Sequence, residues 1–154
     1  MADLLNEKVK ALLRDPASYK ALATVSKIGE VHVVYKGSLT VDEDGNIVVY
    51  ELLDSSQTSK NLTYSLWFEK KVAVNVVGQD GTSYLIKGIP ERDIVTGPEF
   101  EEKYKEFLAK NPENDLAGIW IIPPIEVKEN TYAIRRQEER ERYPVIGHMD
   151  RDLA

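Results

Sequence analysis

The stretch Val72-Ala73-Val74-Asn75-Val76-Val77-Gly78-Gln79-Asp80-Gly81-Thr82-Ser83-Tyr84-Leu85-Ile86-Lys87-Gly88-Ile89 decides the fold class. Two β-branched and aromatic runs, 72–77 and 82–89, flank a four-residue link with glycine at each end, which predicts an antiparallel hairpin. Towards the N-terminus, 21–25 and 31–35 enclose the turn Ile28-Gly29-Glu30 and predict a second hairpin. Residues 38–41 continue in extended form, Asp42-Glu43-Asp44-Gly45 turns, and 46–52 supply another β-branched run, so the N-terminal half reads as a three-stranded meander. Towards the C-terminus, 117–122 form a final, strongly apolar strand. Residues 126–128 and 131–134 read as a shorter strand pair around Glu129-Asn130.

Helical periodicity interrupts this β pattern in three places. Leu4, Leu5, Val9, Leu12 and Leu13 share one stripe of a helix over 3–14, with Asp3 as N-cap and Asp15-Pro16 as the stop. Leu62 and Leu66 share a face in a short helix within 58–68, entered from the polar loop Asp54-Ser55-Ser56-Gln57. Gly97-Pro98 opens a third helix over 99–110, where Phe100, Tyr104, Phe107 and Leu108 lie together and Asn111-Pro112 ends the run. The sum is a mainly β chain with short helices, about six main antiparallel strands closing into a barrel of Greek-key type. Residues 1–134 read as one domain, and 135–154 as a charged tail, either a solvated helix with a loose end, a dimer clasp or a lid.

Composition narrows the function classes. The 154 residues carry 20 Lys plus Arg against 26 Asp plus Glu, a formal charge of −6, which argues against a nucleic-acid footprint. Four-residue apolar runs such as Ile119-Trp120-Ile121-Ile122 fall far short of the ~20 needed for a membrane span. Met1 to Lys8 lack the pattern of a secretory signal, and a cytoplasmic location is expected. The absence of cysteine excludes disulfides, thiolate metal sites and a Cys nucleophile. His32 and His148 are too far apart for the usual metal spacings, and no metal site is expected. No Gly-x-Ser-x-Gly elbow, Rossmann glycine fingerprint or Walker loop occurs. The pairs Glu101-Glu102 and Glu138-Glu139 read as solvated helix surface.

The remaining chemistry gathers at Asp54-Ser55-Ser56-Gln57-Thr58-Ser59-Lys60-Asn61-Leu62, where a strand ends and a helix begins. A helix N-terminus offers free N–H groups and partial positive charge, the hydroxyls add donors, and Lys60 adds a full charge, a combination suited to a phosphate. The alternative is that Ser56 or Thr58 caps the helix and Lys60 points to water. Lys36, at the end of a Val-rich strand, is either an exposed edge lysine or an inward one that needs a carboxylate or a ligand. Trp67, Trp120, Tyr84 and Tyr132 are each either packing residues or covers for a cofactor ring. His148 is either a surface residue or a proton donor at the mouth of a site.

The order of these elements resembles the FMN-binding split β-barrel proteins of the pyridoxamine 5′-phosphate oxidase-like superfamily. The resemblance rests on Ala21-Leu22-Ala23-Thr24-Val25, Gly29-Glu30-Val31-His32-Val33-Val34, Asp44-Gly45-Asn46-Ile47-Val48-Val49 and Gln57-Thr58-Ser59-Lys60-Asn61-Leu62. It continues through Tyr84-Leu85-Ile86-Lys87-Gly88 and Thr96-Gly97-Pro98-Glu99-Phe100-Glu101, spanning roughly residues 17–123. It implies a six-stranded antiparallel split barrel and a homodimer with FMN in grooves at the subunit interface.

Residue by residue, the resemblance implies that Tyr35, Lys36, Gly37 and Ser38 lie beside the flavin and ribityl chain. Tyr50, Glu51 and Leu52 would follow the ring edge through main-chain N–H groups, and Ser56, Gln57, Thr58, Lys60 and Asn61 would stand at the phosphate end. Gln57 occupies a position where the family often carries Lys or Arg, so phosphate charge would come from Lys36, Lys60 or the second chain. The C-terminal Arg motif of vitamin B6 oxidation finds no match in the tail. The expected function is an FMN-dependent oxidoreductase passing electrons from a small-molecule donor through flavin N5 to a small acceptor, with no assigned catalytic side chain. The alternatives are a non-catalytic flavin carrier, or the same barrel binding F420 or haem.

Overall fold

The structure, a computed structural model, describes residues 4–113 and 115–144. In chain order the elements are α1 (Glu7–Arg14), β1 (Tyr19–Val25), β2 (Val31–Tyr35), β3 (Thr40–Val41), β4 (Ile47–Glu51), α2 (Gln57–Phe68), β5 (Val72–Val77) and β6 (Ser83–Gly88). They are followed by β7 (Arg92–Ile94), α3 (Pro98–Lys110), β8 (Gly118–Ile122), β9 (Pro124–Glu129) and α4 (Tyr132–Arg142). The strands form two antiparallel sheets, one ordered β2-β1-β5-β6-β9 and one ordered β3-β4-β8-β7. None of the described helices is long and apolar enough to cross a membrane.

The hairpin β5–β6 forms as its sequence predicts, with Val72 opposite Gly88 and Val77 opposite Ser83. In β5 the burial alternates, and Val72, Val74 and Val76 face the core. In β4 and β8 it does not alternate: both strands carry unbroken apolar runs because both faces of the four-stranded sheet are covered. Ile47, Val49, Trp120 and Ile122 enter the main core with Leu22, Leu62 and Ile86. Val48, Ile119 and Ile121 pack on the opposite face with Phe107 of α3.

Four expectations are corrected. The N-terminal meander is split: β1 and β2 pair in one sheet, while β3 and β4 pair in the other. The chain changes sheets at Lys36–Leu39, where the Leu39 N–H donates to the Lys36 carbonyl at 3.1 Å and the Leu39 side chain is fully buried. A similar corner at Pro123 carries the chain from β8 to β9, and Gly88 makes room for it, since a Cβ there would lie 2.5 Å from the Pro123 carbonyl oxygen. Second, residues 131–134 open α4 rather than a strand, and no residue of that helix is buried. Third, α1 begins at Glu7 with Asn6 as its cap, the Asn6 side chain accepting from the Val9 N–H at 3.0 Å. Asp3 and His148 lie outside the described residues. Nine strands in two sheets are present among the described residues, where about six main strands in a single barrel were expected. β7 was not anticipated, and β9 is longer than its predicted counterpart.

Candidate functional site

The corner between the sheets brings together residues far apart in sequence. Lys36 leaves the end of β2 and directs its ammonium to Glu51 at the end of β4, with Nζ 3.1 Å from Oε2. Both side chains are largely withdrawn from solvent, at 15% and 4% exposure. Glu51 Oε1 accepts from the Leu53 N–H at 3.1 Å, so the carboxylate is held at both oxygens. This resolves the open question at Lys36 in favour of an inward-facing lysine with a carboxylate partner. Charges so buried persist only when paired and hydrogen-bonded.

Lys20 reaches the same corner and was missed in the sequence. Its Nζ lies 3.4 Å from the Gly37 carbonyl, and burial holds its ammonium below the ordinary lysine pKa, against an upward pull from Asp15. The available signal was positional, because Lys20, Leu22 and Thr24 occupy alternate, inward sites of β1. Asp93 of β7 faces the same side of the four-stranded sheet as Glu51, across Gly118. A Cβ at Gly118 would stand 2.5 Å from Asp93 Oδ1, a buried oxygen without a hydrogen-bond partner. Burial pushes the Asp93 carboxyl up, with Asp54 and then Glu51 adding to the rise against a hydrogen bond from the Ile119 backbone.

At the start of α2, Ser56 is the N-cap, accepting from the Ser59 N–H at 3.0 Å. The N–H groups of Gln57 and Thr58, in the first turn, have no intrahelical acceptor. Thr58 and Asn61 are buried, while Gln57 and Lys60 are exposed. Asn61 donates to Thr24 Oγ1 at 3.0 Å and accepts from Gln57 Nε2 at 2.7 Å, which ties α2 to β1. Thr58 Oγ1 lies 3.3 Å from His32 Nε2. A cleft of about 120 Å³ opens beside them, lined by Ser26, Glu30, Val31, His32, Gln57 and Asn61.

The other expected site residues divide by what their side chains touch. The Tyr35 ring meets Tyr19 edge-on at 6.2 Å and folds back over Gly37, with Ser38 half-buried beyond it. The Tyr50 ring is turned away, stacked on Phe107 at 5.2 Å, and its burial raises the phenol pKa. Leu52 is exposed. The main chain here is more available than the side chains: β8 pairs along Ile47–Glu51, but β3 pairs only at Ile47 and Val48. Along Val49, Tyr50 and Glu51 the β3-side edge therefore has no described strand against it. Trp120 is a buried core residue, whereas Trp67 is 74% exposed on α2.

The donor set fits a phosphate-bearing cofactor with a flat, heteroatom-rich ring. It comprises two unengaged helix N–H groups, the hydroxyl of Thr58, the exposed ammonium of Lys60 and an open strand edge beside Lys36. It fits haem poorly at His32, because Nε2 is already directed to Thr58. Among the described residues no group of three or more acidic or His side chains could hold a metal ion.

No protein-family model matches the sequence, and neither does the sequence of any curated protein. Solved structures do match. HupZ from Group A Streptococcus superposes with a TM-score of 0.67 at 18% identity, covering 84% of this chain and 96% of that one. A pyridoxamine 5′-phosphate oxidase candidate from Lactobacillus delbrueckii gives 0.64 at 22% identity over 82% of this chain and 95% of its own. An FMN-binding protein from Syntrophomonas wolfei gives 0.65 at 16% identity over 80% and 84%. An F420 reductase and the haem storage protein HutZ from Vibrio cholerae share the architecture at TM-scores of 0.62 and 0.56. With its two antiparallel sheets, short helices and these structural likenesses, the chain carries the split-barrel fold of the pyridoxamine 5′-phosphate oxidase-like proteins.

Proposed function

We propose that this protein binds FMN between two copies of the chain and works as an oxidoreductase with a small-molecule electron donor and acceptor. The observation that carries the reading is the corner itself. The open edge of Val49–Glu51 ends at the Lys36–Glu51 pair, and the chain then runs from Glu51 into the N-terminus of α2, a chain order that suits ring edge, ribityl chain and phosphate.

Each part has a distinct task. Main-chain N–H groups along β4 hydrogen-bond the ring heteroatoms, and Lys36 stands beside the ring with its charge balanced by Glu51. The Gln57 and Thr58 amides, the Ser56 and Thr58 hydroxyls and Lys60 hold the phosphate. Asn61, bonded on both sides, fixes the first turn of α2 against β1 so that those donors are pre-aimed. When bound, FMN supplies hydride and single-electron exchange, and the chain supplies orientation and dipoles.

The second copy is supported by the outer face of β1 and β2. Tyr19, Val31, Val33 and Tyr35 are all exposed there, Val31 at 85%, on adjoining strands whose register sets Val33 opposite Ala23 and Tyr35 opposite Ala21. A contiguous apolar face of this kind marks an interface. The test is the visible spectrum of the purified protein, titration of the flavin-free protein with FMN, and mass-spectrometric identification of any released cofactor. Bands near about 370 and 450 nm with FMN released support the reading. F420 or haem in its place, or a protein indifferent to FMN, overturns it.

A further inference from the structure

His32 belongs to no role assigned so far, yet it makes the one described side-chain contact to the hydroxyl of Thr58. It sits on the inner face of β2, opposite Thr24 of β1, and its Nε2 lies 3.3 Å from Thr58 Oγ1. A threonine hydroxyl has a single hydrogen. If Thr58 donates to the ring nitrogen, that hydrogen is spent within the chain. If Nε2–H donates to Thr58, the hydroxyl hydrogen is free to turn outward. The ring therefore decides whether Thr58 can donate to a ligand.

The surroundings make this decision matter. The cleft beside His32 is lined by Ser26, Glu30, Val31, Gln57 and Asn61, so its charged residue is the carboxylate of Glu30, and the described lining includes no lysine or arginine. Facing His32, β1 presents Thr24 and α2 presents Thr58 and Asn61, all neutral, with Lys60 on the exposed side of the same helical turn. With a neutral Gln57 here, recognition of an anionic group rests on Lys60 together with correctly directed neutral donors.

Resting on the FMN reading above, we propose that His32 is a positioning residue: by donating from Nε2 to Thr58, it directs the Thr58 hydroxyl towards the phosphate and so gives the site its preference for phosphorylated flavin over riboflavin. The partner it acts on is held in place, since Thr58 is buried on α2 and Asn61 locks that helix to Thr24.

The test is titration of the flavin-free protein with FMN and, separately, with riboflavin, for wild type, His32→Leu, His32→Gln, Thr58→Val and the His32→Leu/Thr58→Val double variant. His32→Leu is expected to weaken FMN roughly tenfold and leave riboflavin within about twofold, the size of one lost hydrogen bond. His32→Gln, whose amide nitrogen reaches the same place, is expected to retain most of the preference. The double variant should lose no more than Thr58→Val alone, as coupled residues do. Thermal melting of each flavin-free variant checks folding, and His32→Asn, too short to reach Thr58, serves as the removal variant if the leucine does not fold. Equal losses for both flavins, additive losses, or no change overturn the assignment while the FMN reading stands. A wild-type protein that binds neither flavin overturns both.

Discussion

Lys36 Nζ lies 3.1 Å from Glu51 Oε2, joining the last residue of β4 to the turn in which the chain leaves the five-stranded sheet for the four-stranded one. The pair ties together two strands that share no ladder, and it does so where both side chains are nearly sealed from water. Removing one partner leaves the other charge buried. Glu51→Gln is expected to cost about 3 kcal/mol in urea unfolding, and the double variant Lys36→Met/Glu51→Leu to recover most of that loss. A Glu51→Gln protein as stable as wild type would show that the pair is solvated.

Lys60 separates cofactor binding from folding. It is exposed and takes part in none of the described ion pairs, so Lys60→Ala should leave the melting temperature of the flavin-free protein unchanged. FMN affinity should fall roughly tenfold at low salt, and the difference should shrink as salt screens the charge. Equal FMN affinity in the variant would place Lys60 outside the site.

Asn61→Ala has the opposite signature. Its amide makes two hydrogen bonds, and the substitution leaves Thr24 and Gln57 without a partner at the base of α2. A loss of about 2 kcal/mol is expected, with faster hydrogen exchange concentrated in the first turns of α2. Unchanged exchange there would mean that Leu62 alone anchors the helix.

Asp93 supplies a pH dependence. Its folded pKa is raised by burial first and by Asp54 and Glu51 after it, so the fold favours the protonated carboxyl and carries a penalty once it ionises. Asp93→Asn should therefore be more stable than wild type at neutral pH. The advantage should shrink as the pH falls through the raised pKa and vanish below the unfolded value of about 3.9. Urea unfolding at several pH values reads this, and a variant less stable than wild type at neutral pH contradicts it.

Val33→Glu tests the pairing of two copies. On the exposed outer face of β2, the charge has no folded-state partner to lose and should change the stability of the single chain by less than about 0.5 kcal/mol. Sedimentation velocity should show the wild type as a dimer and the variant as a monomer, with FMN affinity falling in parallel. A wild-type monomer would remove the second copy from the proposal.

Much of the architecture was legible because its causes are local. The β5–β6 hairpin follows from alternation on both sides of Gly78-Gln79-Asp80-Gly81, and Ser56 lies at the N-cap because a hydroxyl there satisfies an otherwise unpaired amide. The break before α3 follows from Gly97-Pro98 in the same way. The unbroken run Ile119–Ile122 marked a strongly apolar strand, although not that both of its faces are covered. The site was less legible. Lys36 and Glu51 meet, while Tyr50 turns away onto Phe107 and Thr58 and Asn61 meet His32 and Thr24; His32 and Asp93 gave no sign in composition or spacing of where they would turn, and Lys20 only its alternate position in β1.

The chain's periodicity and turn chemistry by themselves determined that it is mainly β, where its main hairpins turn, and which helix end gathers phosphate-seeking groups, since each depends on interactions within a few residues. Only the tertiary structure decided that β3 and β4 leave the sheet of β1 and β2, that Lys36 spends its charge on Glu51, and that His32 meets Thr58. The physical reason is that these outcomes depend on burial: a charge or a ring nitrogen takes the partner that the packed core leaves within reach, and that partner lies 15 residues away for Lys36 and 26 for His32.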